Sequence, residues 1–221
     1  METTVGFQAL GAFRVDLYGC FRRRADALFE LADALLASEA VASVPHLSLR
    51  AAHRRGWGSS YAALALGDVD EEALRGALAA RPLTEGPPIY AVDVSAWPRC
   101  YAEASPERGY YYHPSRHSAG KPIVAGWAYQ WLAQLSFERD SWTAPLDVRR
   151  VHPTEDAGAV ALEQIRTLVD RLGGGSAPLF VFDAGYNSVQ LTQGLADLSV
   201  AVLVRLRTGR CFYADPAAAI P

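Results

Sequence analysis

The 221-residue chain has little that would tie it to a disulfide framework, a cysteine-held metal or a membrane. Its three cysteines, Cys20, Cys100 and Cys211, are odd in number and far apart, without the paired spacing of a zinc site or a disulfide scaffold. They read as isolated reduced thiols. No uninterrupted apolar run is long enough to span a bilayer, and Met1-Glu2-Thr3-Thr4 lacks the basic-then-apolar pattern of a secretory signal. A cytoplasmic address, with no membrane partner, is the expectation. Lysine is nearly missing: Lys121 stands alone among 21 basic residues, the rest being arginine, which together with abundant alanine reads as GC-rich coding. A basic excess is missing too, since the net charge is −3 and neither the first 88 residues nor the remainder is basic overall. Any nucleic acid must therefore be met by a local patch. What is present is apolar material, 50% of the residues, enough to bury one domain core and a smaller appendage.

Residues 5–83 read as helical. Leu17, Phe21, Leu28, Leu31 and Leu35 recur at three-, four- and seven-residue spacing, which predicts one helix face running to about Ala40, before Pro45 breaks the pattern. Asp68-Val69-Asp70-Glu71 can cap a second helix with Ala73, Leu74, Ala77 and Leu78 on its apolar side. Between them lies a basic turn with two aromatics, His53-Arg54-Arg55-Gly56-Trp57-Gly58-Ser59-Ser60-Tyr61. The proline-rich stretch Arg81 to Pro88 reads as a linker, which divides the chain into a helical domain, 1–84, and a second domain, 89–221.

After the linker the pattern changes to strands. Ile89 to Ser95 suits a central strand buried on both faces; Ile123 to Phe137 and Trp142 to Val151 read as a meander turning at Glu138-Arg139-Asp140. Thr154 is the expected cap of a helix with a Leu162, Ile165, Val169, Leu172 stripe, ended by Gly173-Gly174-Gly175. Leu179 to Asp183 is a compact strand, Asn187 to Asp197 a short helix, and Val200 to Leu206 a last buried strand. The order is β-β-β-α-β-α-β, an α/β domain with a mixed sheet of ribonuclease H-like type, preceded by a small all-helical domain.

Two acids stand out because each sits in or at the end of an apolar strand: Asp93 in Ile89-Tyr-Ala-Val-Asp-Val-Ser95 and Asp183 in Phe180-Val-Phe-Asp183. Burying an unpaired carboxylate is costly, so a cation is the natural partner. In a ribonuclease H-like sheet these strands are adjacent and parallel, so the carboxylates converge, and hard oxygen ligands of this kind suit Mg²⁺ or Mn²⁺. Such ions assist in-line displacement at a phosphodiester. The bland alternative is that both acids merely cap loops at strand ends.

The runs Tyr90-Ala-Val-Asp-Val-Ser-Ala-Trp-Pro-Arg-Cys100, Gly109-Tyr-Tyr-Tyr-His113, Gly126-Trp-Ala-Tyr-Gln130, Ser141-Trp-Thr-Ala-Pro-Leu146 and Phe180-Val-Phe-Asp-Ala-Gly-Tyr186 resemble the DDE transposases of bacterial insertion sequences. The resemblance covers most of residues 89–213, and the helical segment is similar to the DNA-binding region that precedes the core in that family. It implies a ribonuclease H-like catalytic core in which Asp93 and Asp183 are the first two catalytic and metal-binding acids. It further implies a divalent cofactor, phosphodiester hydrolysis and strand transfer at transposon ends, double-stranded DNA as partner, and a homodimer. The third acid, a glutamate on a helix after the fifth strand, has no counterpart. Asp215 is the remaining acid, and Asp215-Pro216 reads as a turn. The expectation is a truncated or frameshifted chain that cleaves DNA poorly or not at all, or a non-catalytic DNA-binding remnant that competes with an intact copy.

Arg54, Arg55 and Arg22-Arg23-Arg24 are candidate phosphate contacts, with Trp57 or Tyr61 stacking nearby, although solvated helix faces explain the arginines equally. Arg205 and Arg207 alternate with Leu206 on the expected last strand, which aims both at one face. His113 and His117 lack a His/Cys cluster and read as loop histidines. An aspartate-nucleophile phosphohydrolase would place a second aspartate two residues after the first; here Ser95 and Gly185 occupy those positions.

Overall fold

The computed structural model describes residues 2–83, 87–113, 120–137 and 142–211, with side chains from residue 6 onward. The chain divides into two compact units, Met1–Arg81 and Pro82–Pro221.

The first unit runs α1 (Glu2–Gly19), β1 (Phe21–Arg23), α2 (Ala25–Leu36), α3 (Val44–Leu47), α4 (Trp57–Leu66), β2 (Asp68–Val69) and α5 (Glu71–Ala79). The single helix expected through Leu17, Phe21 and Leu35 is in fact two. It breaks after Gly19 because Phe21 pairs with Val69 in a two-stranded ribbon and the Asp70 N–H donates to the Cys20 carbonyl at 2.7 Å. Arg24, at φ 56°, then turns the chain into α2 through the left-handed region, a conformation costing a non-glycine residue about 1 kcal/mol. Leu31 and Ala34 of α2 pack on Leu47 of α3. α4 ends at Gly67, where a Cβ would lie 2.3 Å from the Ala63 carbonyl oxygen, so only glycine fits that close approach. α5 is capped as expected, Asp70 accepting from the Ala73 N–H at 3.0 Å.

The second unit runs β3 (Ile89–Pro98), β4 (Gly109–Tyr112), β5 (Ile123–Leu135), β6 (Thr143–Val151), α6 (Ala157–Leu172), β7 (Leu179–Phe182), α7 (Ser188–Gly194) and β8 (Ala201–Val204). β5 is antiparallel to β3 along one edge and shares its other edge between β4, at Ile123–Gly126, and β6, at Ala128–Leu135. β7 lies between β3 and β8 and is parallel to both. The path β6-β5-β3-β7-β8, an antiparallel meander continued by parallel strands through helical crossovers, is the ribonuclease H-like arrangement. β4 is an addition to the expected order, a short edge strand. Pro145 is accommodated because β6 is also an edge strand and carries a bulge there, Leu132 pairing with Asp147 and Ala133 with Pro145. The charged turn at 138–140 lies outside the described residues.

Helix α6 is capped by Asp156 and not by Thr154, the Asp156 carboxylate accepting from the Ala159 N–H at 2.9 Å. Its buried face is Val160, Ala161, Gln164, Ile165 and Leu168, so the expected stripe holds at Ile165 while Leu162, Val169 and Leu172 flank it, half-buried. Gly173, at φ 65°, ends the helix in the left-handed conformation. Val92, Leu132, Phe180 and Phe182 fill the sheet side of the core, with the Tyr90 and Phe180 rings stacked 5.2 Å apart.

Candidate active site

The parallel ladder between β3 and β7 is in register from Ile89 with Leu179 to Val92 with Phe182. The next residue on each strand is an aspartate. Neighbouring strands lie about 4.8 Å apart, so the ladder delivers Asp93 and Asp183 side by side at one end of the sheet. Both line a single cavity of about 290 Å³, together with Asp156, Asn187 and Gln190.

Each carboxylate uses one oxygen locally. Asp93 Oδ1 accepts from the Val94 N–H at 2.8 Å, and Asp183 Oδ1 accepts from the Gly185 N–H at 2.7 Å. Among the described residues neither acid has an ion-pair partner, and neither Oδ2 accepts a hydrogen bond. Burial pushes the Asp93 carboxyl above the ordinary aspartate range, the Val94 N–H partly offsets this, and the charge of Asp183 adds to the rise. Two anions held together with oxygens free and no arginine between them form a donor set that fits a hard divalent cation. Neutral partners complete the rim. Asn187 caps α7, accepting from the Val189 and Gln190 N–H groups at 3.1 and 3.4 Å, and Gln190 donates to Asp156 at 2.7 Å.

Asp156 is a third acid on the cavity, and sequence reasoning missed it. Its Oδ1 is engaged by the Gln190 amide and the Ala159 N–H, and these hold its carboxyl below the ordinary range. It serves α6 as a cap, and among the described residues no group of three His, Cys, Asp or Glu side chains is placed to hold one metal ion. Asp156 precedes Ala157-Gly158-Ala159, so the ordinary preference for aspartate at a helix start was the signal available. Tyr186 and Gln130 were also missed. The Tyr186 hydroxyl donates to Gln130 Oε1 at 2.9 Å, and burial, with Gln130 opposing and the two acids adding, pushes the phenol upward. That contact spans 56 residues of sequence, and no local pattern encodes it.

The remaining candidates are dispersed. β8 ends at Val204, so strand alternation does not aim Arg205 and Arg207 as expected; both follow the strand. Arg207 Nε donates to the Ala184 carbonyl at 3.1 Å, which sets its guanidinium beside the Asp183 turn, while the Arg205 side chain is exposed. In the first unit, Arg55 is engaged by Glu30 at 2.5 Å and Asp26 at 3.4 Å. The Arg54 side chain is exposed, and Trp57, 61% exposed, meets Tyr61 edge-on at 6.0 Å. Arg22 pairs with Asp70. Among the described residues His113 belongs to no group of three that could hold a metal ion, and His117 and Asp215 lie outside the described residues. No described helix is long and apolar enough to cross a membrane.

Compared with known proteins, the chain matches no curated protein. A solved structure described as a piggyBac transposase synaptic complex with hairpin DNA is similar to it, with a TM-score of 0.42 and 14% identity over 84% of this chain and 42% of that one. The chain thus spans less than half of that protein's length. The sequence profile of the DDE superfamily endonucleases matches residues 16–221, which include both Asp93 and Asp183. The chain belongs to the DDE superfamily endonucleases.

Proposed function

We propose that Asp93 and Asp183 are metal ligands of a DNA transposase, and that the second unit carries out phosphodiester hydrolysis and strand transfer at transposon ends with Mg²⁺ or Mn²⁺. One observation carries this reading: the carboxylates of Asp93, within β3, and Asp183, just past β7, follow the last paired residues of a parallel ladder, share one cavity and have no cationic partner among the described residues. When bound, the cation supplies charge for an in-line displacement, polarising the phosphodiester and lowering the cost of the attacking and leaving oxygens. The residues supply the rest. The ladder brings the acids to neighbouring positions, and the Val94 and Gly185 N–H groups orient one oxygen of each while leaving the other free. Two carboxylates suffice for a weak Mg²⁺ site, because this ion keeps several waters and takes substrate phosphate oxygens as further ligands. Arg207, held at the Ala184 carbonyl, is placed to meet a phosphate approaching the acids.

The helical unit is proposed as the DNA-binding domain, with Arg54 and Trp57 its exposed contacts, Arg55 and Arg205 accessory, and a homodimer bridging paired ends. The lack of a three-acid group among the described residues favours a second reading, a non-catalytic DNA-binding chain that competes with an intact transposase. Titration with Mn²⁺, followed by the paramagnetic resonance of the free ion, and a nicking assay on double-stranded DNA separate the two. Binding of Mn²⁺ that weakens beyond about 100-fold in Asp93→Asn and in Asp183→Asn supports the metal site, that being the upper range for losses of mere ligand support. Unchanged Mn²⁺ binding in either variant sinks it. A gel shift without nicking selects the competitor.

A further inference from the structure

The Asp183 turn is tied to the sheet by one buried hydroxyl. Asp183-Ala184-Gly185-Tyr186 leaves β7 and enters α7, and within it the Asp183 carboxylate accepts from the Gly185 N–H. Nothing in that local bond fixes where the turn as a whole sits. Tyr186 does. Its ring is 8% exposed and packs at 63° against Phe182, 5.1 Å between centroids, and its hydroxyl donates to Gln130 Oε1 on β5. Between β7 and β5 lies β3, and Gln130 is the register partner of Val94, the neighbour of Asp93. The Tyr186–Gln130 bond therefore reaches across the strand that bears one acid in order to hold the turn that bears the other.

Gln130 is fully buried, and its Nε2 has no partner among the described residues, so its carboxamide is met at the oxygen and not at the nitrogen. A core side chain chosen for packing alone would be apolar at that position. The Gln164 amide reaches the Gln130 backbone carbonyl at 3.5 Å, so the Gln130 side chain itself is left with the Tyr186 hydroxyl as its hydrogen-bond partner among the described residues.

We propose that Tyr186 is a positioning residue: through its hydroxyl bond to Gln130 it holds the turn that carries the Asp183 carboxylate beside Asp93, so that both acids could serve one divalent cation. The proposal rests on the metal-site reading above and adds a residue that touches neither metal nor substrate.

Tyr186→Phe keeps the ring and removes the hydroxyl. In the 221-residue chain this variant is expected to bind Mn²⁺ about tenfold more weakly, the lower end of what lost support of a ligand costs. The Gly185 amide should also exchange with solvent faster while amides of β3 keep their rates. Gln130→Met should reproduce both effects, and Gln130→Met with Tyr186→Phe should add nothing further, since the two side chains act through one bond. A lowered thermal midpoint with Mn²⁺ affinity and Gly185 exchange unchanged would make the hydroxyl purely structural and overturn the proposal. The amide readout needs no metal. If the unaltered chain binds no Mn²⁺, the metal-site reading fails, and faster Gly185 exchange in Tyr186→Phe still establishes that the hydroxyl holds the turn; unchanged exchange defeats the positioning role independently.

Discussion

The two units treat their acids differently. In the helical unit, carboxylates are met by arginine: Asp33 by Arg14 through a two-pronged contact at 2.5 and 2.8 Å, Asp70 by Arg22, Glu30 and Asp26 by Arg55, and Asp16 by Arg81. The sheet unit does the same at its surface, where Arg149 meets Glu155 and Glu163 and Arg166 meets Asp197. Where the parallel ladder of β3 and β7 ends the practice stops, and two like charges face each other without a counter-ion among the described residues. Partnered acids contribute to the fold. Acids left to repel one another weaken it, and they persist at sites whose missing charge comes from outside.

The harshest way to break the comparison is to empty the core beneath the acids. Phe180→Ala should cost about 3–5 kcal/mol and unfold the sheet unit first, with Mn²⁺ binding lost alongside it. Residue-resolved amide exchange checks this: equal loss of protection in α2 and β7 would mean that the two units do not unfold separately. A smaller effect is expected at Asp33→Ala. Losing this partly exposed pair should lower stability by about 1 kcal/mol, a figure already discounted for solvent screening. Denaturant titration of the variant reads it directly, and a neutral result would remove Asp33 from the paired, structural class.

The smallest effect has the opposite sign. Without metal, Asp93→Asn removes one of two facing charges and should raise stability by roughly 0.3–0.5 kcal/mol, small because Asp93 remains open to solvent. The acidity follows the same division. The Asp33 carboxyl is held low by Arg14, so its contribution is complete above the ordinary aspartate value of about 3.9 and is lost only as pH falls through its depressed folded value. The Asp93 carboxyl is raised by burial, so its penalty is complete above the raised value and is relieved as pH falls through it. Acidification from neutrality towards about pH 4 should therefore raise the protection of β3 amides, taken relative to their intrinsic exchange rate at each pH, before it changes that of α2. If Asp93→Asn retains that rise in protection, the assignment of the penalty to this carboxyl fails.

Sequence patterns reached the sheet more fully than the helical unit, for a physical reason. β3, β5, β6, β7 and β8 are apolar segments bounded by turn residues, and their character is local. Asp93 and Asp183 were legible because an acid at the end of such a segment contradicts its surroundings. The ribbon of β1 and β2 joins residues 48 positions apart, Phe21 to Val69, and a helical period that continues through Phe21 conceals it. The Asp156 cap lay two residues from the Thr154 expected, within the ordinary uncertainty of helix starts. Tyr186 and Gln130 stood in the runs that carry the resemblance, but the bond between them joins distant elements and no local pattern reveals it. The common facing expected of Arg205 and Arg207 rested on a last strand drawn too long.

The in-register ladder between β3 and β7 has a consequence for how the chain tolerates change. Because the acids follow matched residues on adjacent strands, it is the backbone hydrogen bonds that make them neighbours, and loop length matters little. Substitutions at half-buried ladder positions such as Ala91 or Val181 leave that pairing intact. A deletion or insertion of a single residue within Leu179–Phe182 shifts everything after it by one pleat and turns Asp183 to the other face of the sheet. The cavity is thus robust to altered letters and brittle to altered length, whereas length changes in the connection between β4 and β5 leave this ladder untouched.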